Sequence, residues 1–288
     1  MSATRLPNRR SRRPLALAGA AALILVAWVG CHNSSRDAGA FTSAGVTHLQ
    51  MGEYDRAIRD FDRALASQPG LVVAWRQRGL AYRGKHDYER ALADFDQAIL
   101  LAPSDARLYT DRGLTRELLG DYAEAIRDFD RAISFKPNHA PAIESRGRTY
   151  FYLGNFAQSA ADLQRGLSLD SANTEVALWL HLARQRLGQD DARDFEAHVT
   201  PIDSAQWPAP VVAYFLGRLS EDSLRAAAVA DSAERGQRCG VGFYLGQAAL
   251  IEGRAAEAAK LFQATRAGCA KELSEHRGAV AELRRLAL

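Results

Sequence analysis

The sequence predicts an all-α fold: a solenoid of stacked antiparallel helical hairpins that ends in a capping C-terminal helix. The main observation is a period of 34 residues, which is regular from residue 38 to residue 173. Within each period, small and apolar residues recur at fixed positions with helical spacing. Self-similarity at a fixed period of this length is typical of repeat proteins, in which each unit buries its apolar face only by stacking on its neighbours.

Four regular rows can be aligned, at residues 38–71, 72–105, 106–139 and 140–173. Position 8 holds glycine, position 20 a small residue and position 24 a bulky apolar residue: Gly45, Gly79, Gly113, Gly147; Ala57, Ala91, Ala125, Ser159; Phe61, Phe95, Phe129, Leu163. Small residues let two helices approach closely, and the bulky side chain fills the space between them. Prolines 69, 103 and 137 end the second helices, because proline cannot continue a helix. These columns together resemble the tetratricopeptide repeat.

The remaining chain is less regular. A degenerate fifth row at 174–199 is followed by a linker at 200–238, with short helices expected at 211–219 and 220–230 and a loop at 231–238. Residues 239–288 then return to the pattern as a hairpin, with Gly246, Ala258 and Phe262 in the expected columns. A final helix at about 271–287 would cap the stack, as terminal repeats require.

Two charged columns accompany the packing columns. Arginine recurs at position 7 and aspartate at position 23: Arg78, Arg112, Arg146; Asp60, Asp94, Asp128, Asp162. We expect a ladder of arginine–carboxylate pairs between neighbouring hairpins, because both columns recur in step. The alternative is a basic lining for an anionic ligand.

The N-terminus has the layout of an export signal at residues 1–30. Five arginines precede Leu15–Val29, an apolar run about 15 residues long that is shorter than the ~20 residues of a membrane-spanning helix. Gly30-Cys31 resembles the lipobox of bacterial lipoproteins, although Trp28 stands where leucine is usual. We therefore expect Cys31 to be lipidated and followed by a polar linker at 31–37. The alternatives are an ordinary cleaved signal and an uncleaved anchor.

Two further cysteines, Cys239 and Cys269, begin and end the C-terminal hairpin. The two ends of an antiparallel hairpin lie together, so a disulfide between them is expected, and export would permit it. Two buried free thiols are the alternative. A metal site is not expected, because no ligand pair stands at the required spacing.

No catalytic motif, cofactor loop or nucleophile–base pair is recognisable, so an enzyme with an unrecognised site is only a minor alternative. Without the export signal, 32 basic residues stand against 34 acidic ones. This balance gives no reason to expect nucleic-acid binding. The expected role is therefore protein binding, without a cofactor.

The first helices of stacked hairpins line a concave groove. Its mixture of apolar and arginine side chains suits an extended peptide or a partner helix, and arginines and aromatics often dominate binding energy. The candidate contacts are Arg76, Leu80, Arg83, Arg107, Leu114, Glu117, Glu144, Arg148 and Phe151.

The layout as a whole resembles the NlpI-like family of bacterial lipoproteins. The more specific stretches are Trp207-Pro208, residues 211–221 and Phe243–Gln247. The resemblance implies an outer-membrane lipoprotein, anchored by lipid on the periplasmic face and often a homodimer. It implies an adaptor for peptidoglycan hydrolases and a processing protease. His32 after the cysteine, where aspartate would favour inner-membrane retention, agrees with the outer membrane. The alternative is a pilotin-like assembly lipoprotein for pilus, secretin or outer-membrane protein biogenesis.

Overall fold

The computed structural model describes residues 37–199, 207–230 and 235–287, and these ranges contain fifteen α-helices and no strand. The predicted all-α fold of consecutive helical hairpins is therefore confirmed. The chain forms two compact units, of which the first ends at Lys85 and the second begins at His86.

The first unit contains three helices: α1 at 37–50, α2 at Tyr54–Ser67 and α3 at Val72–Gly84. Its core is built around Phe61 of α2, which is fully buried with Ala57 and Ala64. Gly45 of α1 lies against this ring, and a Cβ at Gly45 would stand 2.6 Å from Phe61 Cε1. The glycine and aromatic columns therefore pack against each other as their spacing predicts.

The second unit holds the other twelve described helices. These are α4 Tyr88–Leu101, α5 Ala106–Leu119, α6 Tyr122–Phe135, α7 Ala140–Leu153, α8 Phe156–Leu169, α9 Thr174–Arg186, α10 Ala192–Val199, α11 Ala209–Phe215, α12 Glu221–Ala230, α13 Arg235–Ile251, α14 Ala255–Gly268 and α15 Ser274–Arg285. Gly120 and Gly154 end α5 and α7 with φ of 86° and 80°, a left-handed conformation that favours glycine.

The glycine–aromatic contact recurs through this unit. A Cβ at Gly113 would stand 2.7 Å from Phe129 Cε1, and one at Gly246 would stand 2.5 Å from Phe262 Cε1. Each pair joins the two helices of one hairpin, α5 with α6 and α13 with α14. The C-terminal hairpin therefore repeats the packing of the regular rows.

A large aromatic core joins the regular repeats to the C-terminal hairpin. Trp179 of α9 is fully buried, and its ring centroid lies 5.1 Å from Phe151 of α7 and 5.1 Å from Phe243 of α13. Helices α9 and α10 occupy the residues of the degenerate fifth row. Their large side chains replace the small-residue columns because here the helix must pack against the returning C-terminal hairpin as well as against α8.

The structure corrects one boundary. The predicted loop at 231–238 is too long, since α13 already begins at Arg235. Residues 235–238 are polar, but helix propensity is a weak guide where the rest of a helix is held by packing. The last helix spans Ser274–Arg285, slightly less than the predicted range, and it packs against α13, α14 and α7.

Candidate partner-binding site

The predicted groove residues of the first unit all lie on α3. Arg76, Leu80 and Arg83 are half-buried, and Val73 beside them is 54% exposed. The two arginines carry their own interactions within the protein. This face offers one exposed apolar side chain among partly covered ones.

In the second unit, three of the predicted residues remain at or near the surface. Arg107 is exposed and donates hydrogen bonds to Asp105 of 3.0 Å from Nε and 2.7 Å from Nη2. Leu114 is partly buried against the core of α5, α6 and α7. Glu144 is half-buried over Gly166, and burial raises the pKa of this carboxyl above its usual value.

The other three predicted residues are covered by the chain itself. Glu117 is 1% exposed, Phe151 is fully buried, and Arg148 is largely buried. The expectation that they line an open groove needs correction, because α15 lies over this part of the first helices. Phe151 in addition turns into the aromatic core, with ring contacts to Trp179 and Phe156.

The first anchor of α15 is a buried charge pair. Arg277 Nε on α15 lies 2.9 Å from Glu117 Oε1 on α5. The other oxygen of Glu117 accepts a 2.7 Å hydrogen bond from the Thr149 hydroxyl on α7. Tyr152 of α7 donates a 3.2 Å hydrogen bond to the carbonyl of Ser274, where α15 begins.

The second anchor lies near the other end of α15, at Glu282. Its carboxylate accepts a 2.5 Å hydrogen bond from Arg186 of α9 and a 2.9 Å bond from Gln247 of α13, and Arg285 of its own helix donates another. Burial alone would raise the pKa of Glu282. The hydrogen bond from Arg285 and the two arginine charges outweigh that effect, so the pKa lies below its usual value.

Arg285 also joins α15 to the end of α7. Its Nη1 donates hydrogen bonds to the carbonyl oxygens of Phe151, at 3.3 Å, and of Tyr152, at 2.8 Å. These carbonyls lie in the last turn of α7, where i+4 amide donors run out, although the Phe151 carbonyl also accepts a 2.9 Å hydrogen bond from the Gly154 amide. No repeat column marks Arg277, Glu282 or Arg285, so the periodicity could not reveal this seat. Their placement depends on how the last hairpin folds back.

The arginine ladder is present, and it uses a second acidic column that the sequence analysis missed. Arg112 lies 2.6 Å from Asp128 in its own hairpin and 2.5 Å from Asp96 in the preceding one. Arg146 repeats this with Asp162 at 2.7 Å and Asp130 at 2.5 Å. Asp128 and Asp162 therefore pair within a hairpin, and the position-25 aspartates make the links between hairpins.

In the sequence, position 25 also recurs as aspartate, two residues after the aspartate of position 23, at Asp62, Asp96 and Asp130. In the first unit, Arg78 pairs with Asp62 at 2.6 Å, and Asp60 pairs with His48 at 2.7 Å. Because Arg112 and Arg146 each hold two carboxylates, their charge is already neutralised. This favours the structural reading of the column over an anion-binding one.

One polar pair in the second unit was not predicted. His181 Nδ1 lies 2.8 Å from Asp191 Oδ1, both side chains are buried, and the imidazole stacks on Phe195. A cavity of about 240 Å³ adjoins His181 and is lined also by Tyr214, Phe215 and Glu252. No serine, threonine or cysteine lines this cavity among the described residues, so a nucleophile–base arrangement is not formed there.

Two predictions fall outside what is described. Cys31 and the export signal precede residue 37, and the side chain of Cys239 is likewise not described. Lipidation and the Cys239–Cys269 disulfide therefore stay predictions. Within 37–199, 207–230 and 235–287, no helix has both the length and the apolar character to cross a bilayer. The same ranges contain no cluster of three His, Cys, Asp or Glu side chains suited to a metal ion.

Comparison with known proteins agrees with the geometry. Family models of the tetratricopeptide repeat match residues 42–84, 79–134 and 140–173. A tetratricopeptide repeat protein from Parabacteroides merdae is similar in structure, with a TM-score of 0.58, 15% identity and coverage of 86% of this chain and 99% of that one. MamA from Desulfovibrio magneticus is similar with a TM-score of 0.50 and 19% identity, over 56% of this chain and 90% of its own. At these identities the likeness concerns the fold.

The protein thus carries tetratricopeptide repeats and has the fold of a tetratricopeptide-repeat solenoid. Folds of this class typically serve as non-catalytic scaffolds for protein–protein interaction.

Proposed function

We propose that the protein is a non-catalytic adaptor of the bacterial cell envelope. It is held to the periplasmic face of the outer membrane by lipid on Cys31 and binds periplasmic proteins through its repeats. The observation that carries the proposal is the run of repeats at 42–173, because stacked hairpins present long surfaces without forming a catalytic cleft.

The partners that we propose are peptidoglycan hydrolases and a processing protease, which the adaptor brings together. The support is the resemblance of residues 207–221 and 243–247 to the NlpI-like family, together with the export signal at 1–30. The structure adds physical support for binding: Val73, Leu119, Leu153 and Leu187, at or beside the ends of repeat helices, are 40–54% exposed. Exposed apolar side chains on a rigid scaffold are available for burial by a partner.

Affinity capture from detergent-solubilised envelopes tests the proposal. We expect the tagged protein to recover peptidoglycan hydrolases and a protease above the background of an unrelated lipoprotein. Recovery of secretin or pilus components instead would replace the adaptor role with the assembly role. Turnover of a cell-wall substrate by the purified protein, abolished by a substitution beside His181, would contradict both.

A further inference from the structure

The cavity beside His181 lies where three helices of the second unit end. Its lining comes from the C-terminal parts of α9, α11 and α13, from Ala192 at the start of α10, and from Glu252 just after α13. None of the candidate groove residues lines it. Its volume of about 240 Å³ is below the roughly 300 Å³ at which pockets for drug-sized ligands begin, so it suits a group of side-chain size.

The first polar group of this cavity is the imidazole of His181. Its Nδ1 lies 2.8 Å from Asp191 Oδ1, and the ring stacks on Phe195 with 4.3 Å between ring centroids. A carboxylate only accepts hydrogen bonds, so in the neutral imidazole Nδ1 carries the proton and Nε2 keeps its lone pair. No hydrogen bond to Nε2 is formed by the described residues. Asp191 therefore fixes the ring and leaves an acceptor in the cavity wall.

Two further acceptors line the same cavity. The Gln185 amide nitrogen donates to the Gln189 carbonyl at 3.3 Å and to Asp191 Oδ1 at 3.1 Å, which leaves Gln185 Oε1 to accept. Glu252 Oε2 lies 2.8 Å from Nε and 2.7 Å from Nη2 of Arg254. Within the described ranges, no hydrogen bond is made to Glu252 Oε1, so this oxygen is also left to a ligand.

The surroundings of the cavity favour a positive charge. The rings of Tyr214 and Phe215 lie in its wall with centroids 5.4 Å apart, and an aromatic face attracts a cation. Burial raises the pKa of Tyr214, and the carboxylates of Glu252 and Glu221 raise it further against the opposing charge of Arg254. Helices α9 and α13 end here, and the C-terminal end of a helix carries a partial negative charge.

From these observations we propose that the cavity binds a primary ammonium group at the end of an alkyl chain, as carried by a lysine side chain or a small free amine. An ammonium has three N–H donors and no acceptor, which matches the acceptors of His181, Gln185 and Glu252. Ala248 and Ile251 of α13 provide apolar contacts for the alkyl chain. The site is separate from the candidate groove, and the proposal does not depend on the adaptor role.

The test titrates the purified protein with lysine that is blocked as its Nα-acetyl methylamide, followed by NMR of isotope-labelled alanine methyl groups. A pH of about 8.5 lies between the ordinary pKa values of histidine and lysine. The methyls of Ala192 and Ala248, which line the cavity, should shift with a Kd on the order of 1 mM, as expected for a ligand of this size. The Ala57 methyl of the first unit should not shift. The matching norleucine compound keeps the alkyl chain without the ammonium and should not bind.

Two glutamate substitutions locate the charge. Glu252→Gln removes a carboxylate from the cavity wall and should weaken binding about fivefold. Glu257→Gln is the matched control, because Glu257 pairs with the same Arg254 but does not line the cavity. It should change the affinity by less than about twofold.

Equal binding of the lysine and norleucine compounds would overturn the proposal, because the cavity would then select only for apolar surface. Equal effects of Glu252→Gln and Glu257→Gln would overturn it too, and so would the absence of shifts at Ala192 and Ala248 with every amine. Binding of n-butylamine without the blocked lysine would support the site and identify a free amine as its ligand. Binding of both would support a lysine side chain.

Discussion

Arg277 on the last helix and Glu117 on α5 form a buried pair, with 2.9 Å between Nε and Oε1 and exposures of 12% and 1%. The pair joins the last helix to the third regular row, residues 106–139, across a long stretch of sequence. It shows that the regular repeats and the irregular C-terminal region of this unit fold against each other. It also covers residues that the repeat pattern alone would assign to an open groove.

The ladder arginines should be important for stability. Arg146→Gln leaves Asp162, whose side chain is 11% exposed, without the guanidinium that pairs with it. We expect a loss of about 3 kcal/mol in the free energy of unfolding, the usual cost of breaking a buried pair. The matched control is Arg127→Gln, whose side chain is 71% exposed and should cost less than about 0.5 kcal/mol. Urea unfolding measures both, and equal effects would contradict the ladder.

The position-8 glycines should resist substitution. Gly113→Ala gains about 1 kcal/mol of helix propensity. Its new Cβ would stand 2.7 Å from Phe129 Cε1, so the Phe129 ring must move. We expect a net loss of about 1–2 kcal/mol, since overpacking a core costs more than propensity returns. Gly70→Ala meets open space and should be nearly neutral. A stabilised Gly113→Ala protein would show that the crossing is looser than the structure indicates.

The second anchor of α15, the buried carboxylate of Glu282, should weaken in acid. The pKa of Glu282 is lowered in the folded protein. Its contribution to the free energy of unfolding is therefore present above the unfolded pKa of about 4.5 and is lost as pH falls through the folded pKa. We expect Glu282→Gln to be less stable than wild type by about 1–3 kcal/mol at pH 7. The difference should shrink below pH 4.5. Urea unfolding at several pH values measures it, and a gap that does not change with pH would contradict the anchor.

The two C-terminal cysteines should be oxidised in exported protein. Peptide mapping without reductant should recover Cys239 and Cys269 in one cross-linked fragment. Reduction should lower the free energy of unfolding by about 3–4 kcal/mol in the chain-entropy model. The Cys269→Ser protein, already unable to form the bond, is the control and should be insensitive to reductant. Free thiols at both positions in freshly exported protein would contradict the prediction.

Lipid attachment should depend on Cys31 alone. Labelled fatty acid should appear on the wild-type protein and disappear from Cys31→Ala, which should then be released from membranes in soluble form. Cys239→Ser is the matched control and should keep its label. Label that persists in Cys31→Ala would contradict the lipoprotein assignment.

The sequence predicted the features that recur with the period. Gly113 meets Phe129 and Arg112 meets Asp128 because both contacts lie within one hairpin, whose geometry the 34-residue pattern specifies. The links from Arg112 to Asp96 and from Arg146 to Asp130 follow the same period and were missed only because one acidic column was considered. Local, repeated contacts are therefore recoverable from a single sequence.

The seat of α15 could not be predicted in this way. It depends on contacts such as Arg285 with the carbonyls of Phe151 and Tyr152, which occur once and join distant segments. Predicting it would require the path of residues 200–238, a segment with irregular spacing. The candidate groove residues were assigned to the inner face from their repeat columns, and nothing local shows that Glu117 and Phe151 are already covered.

The central claim is that this protein is an adaptor, which must hold two different proteins at once. The most direct measurement is mass photometry of the purified protein with one recovered hydrolase and the recovered protease, alone and together. We predict a ternary complex whose mass equals the sum of all three components, with no loss of either binary affinity. Absence of binding, or binding in which each enzyme displaces the other, would contradict the account.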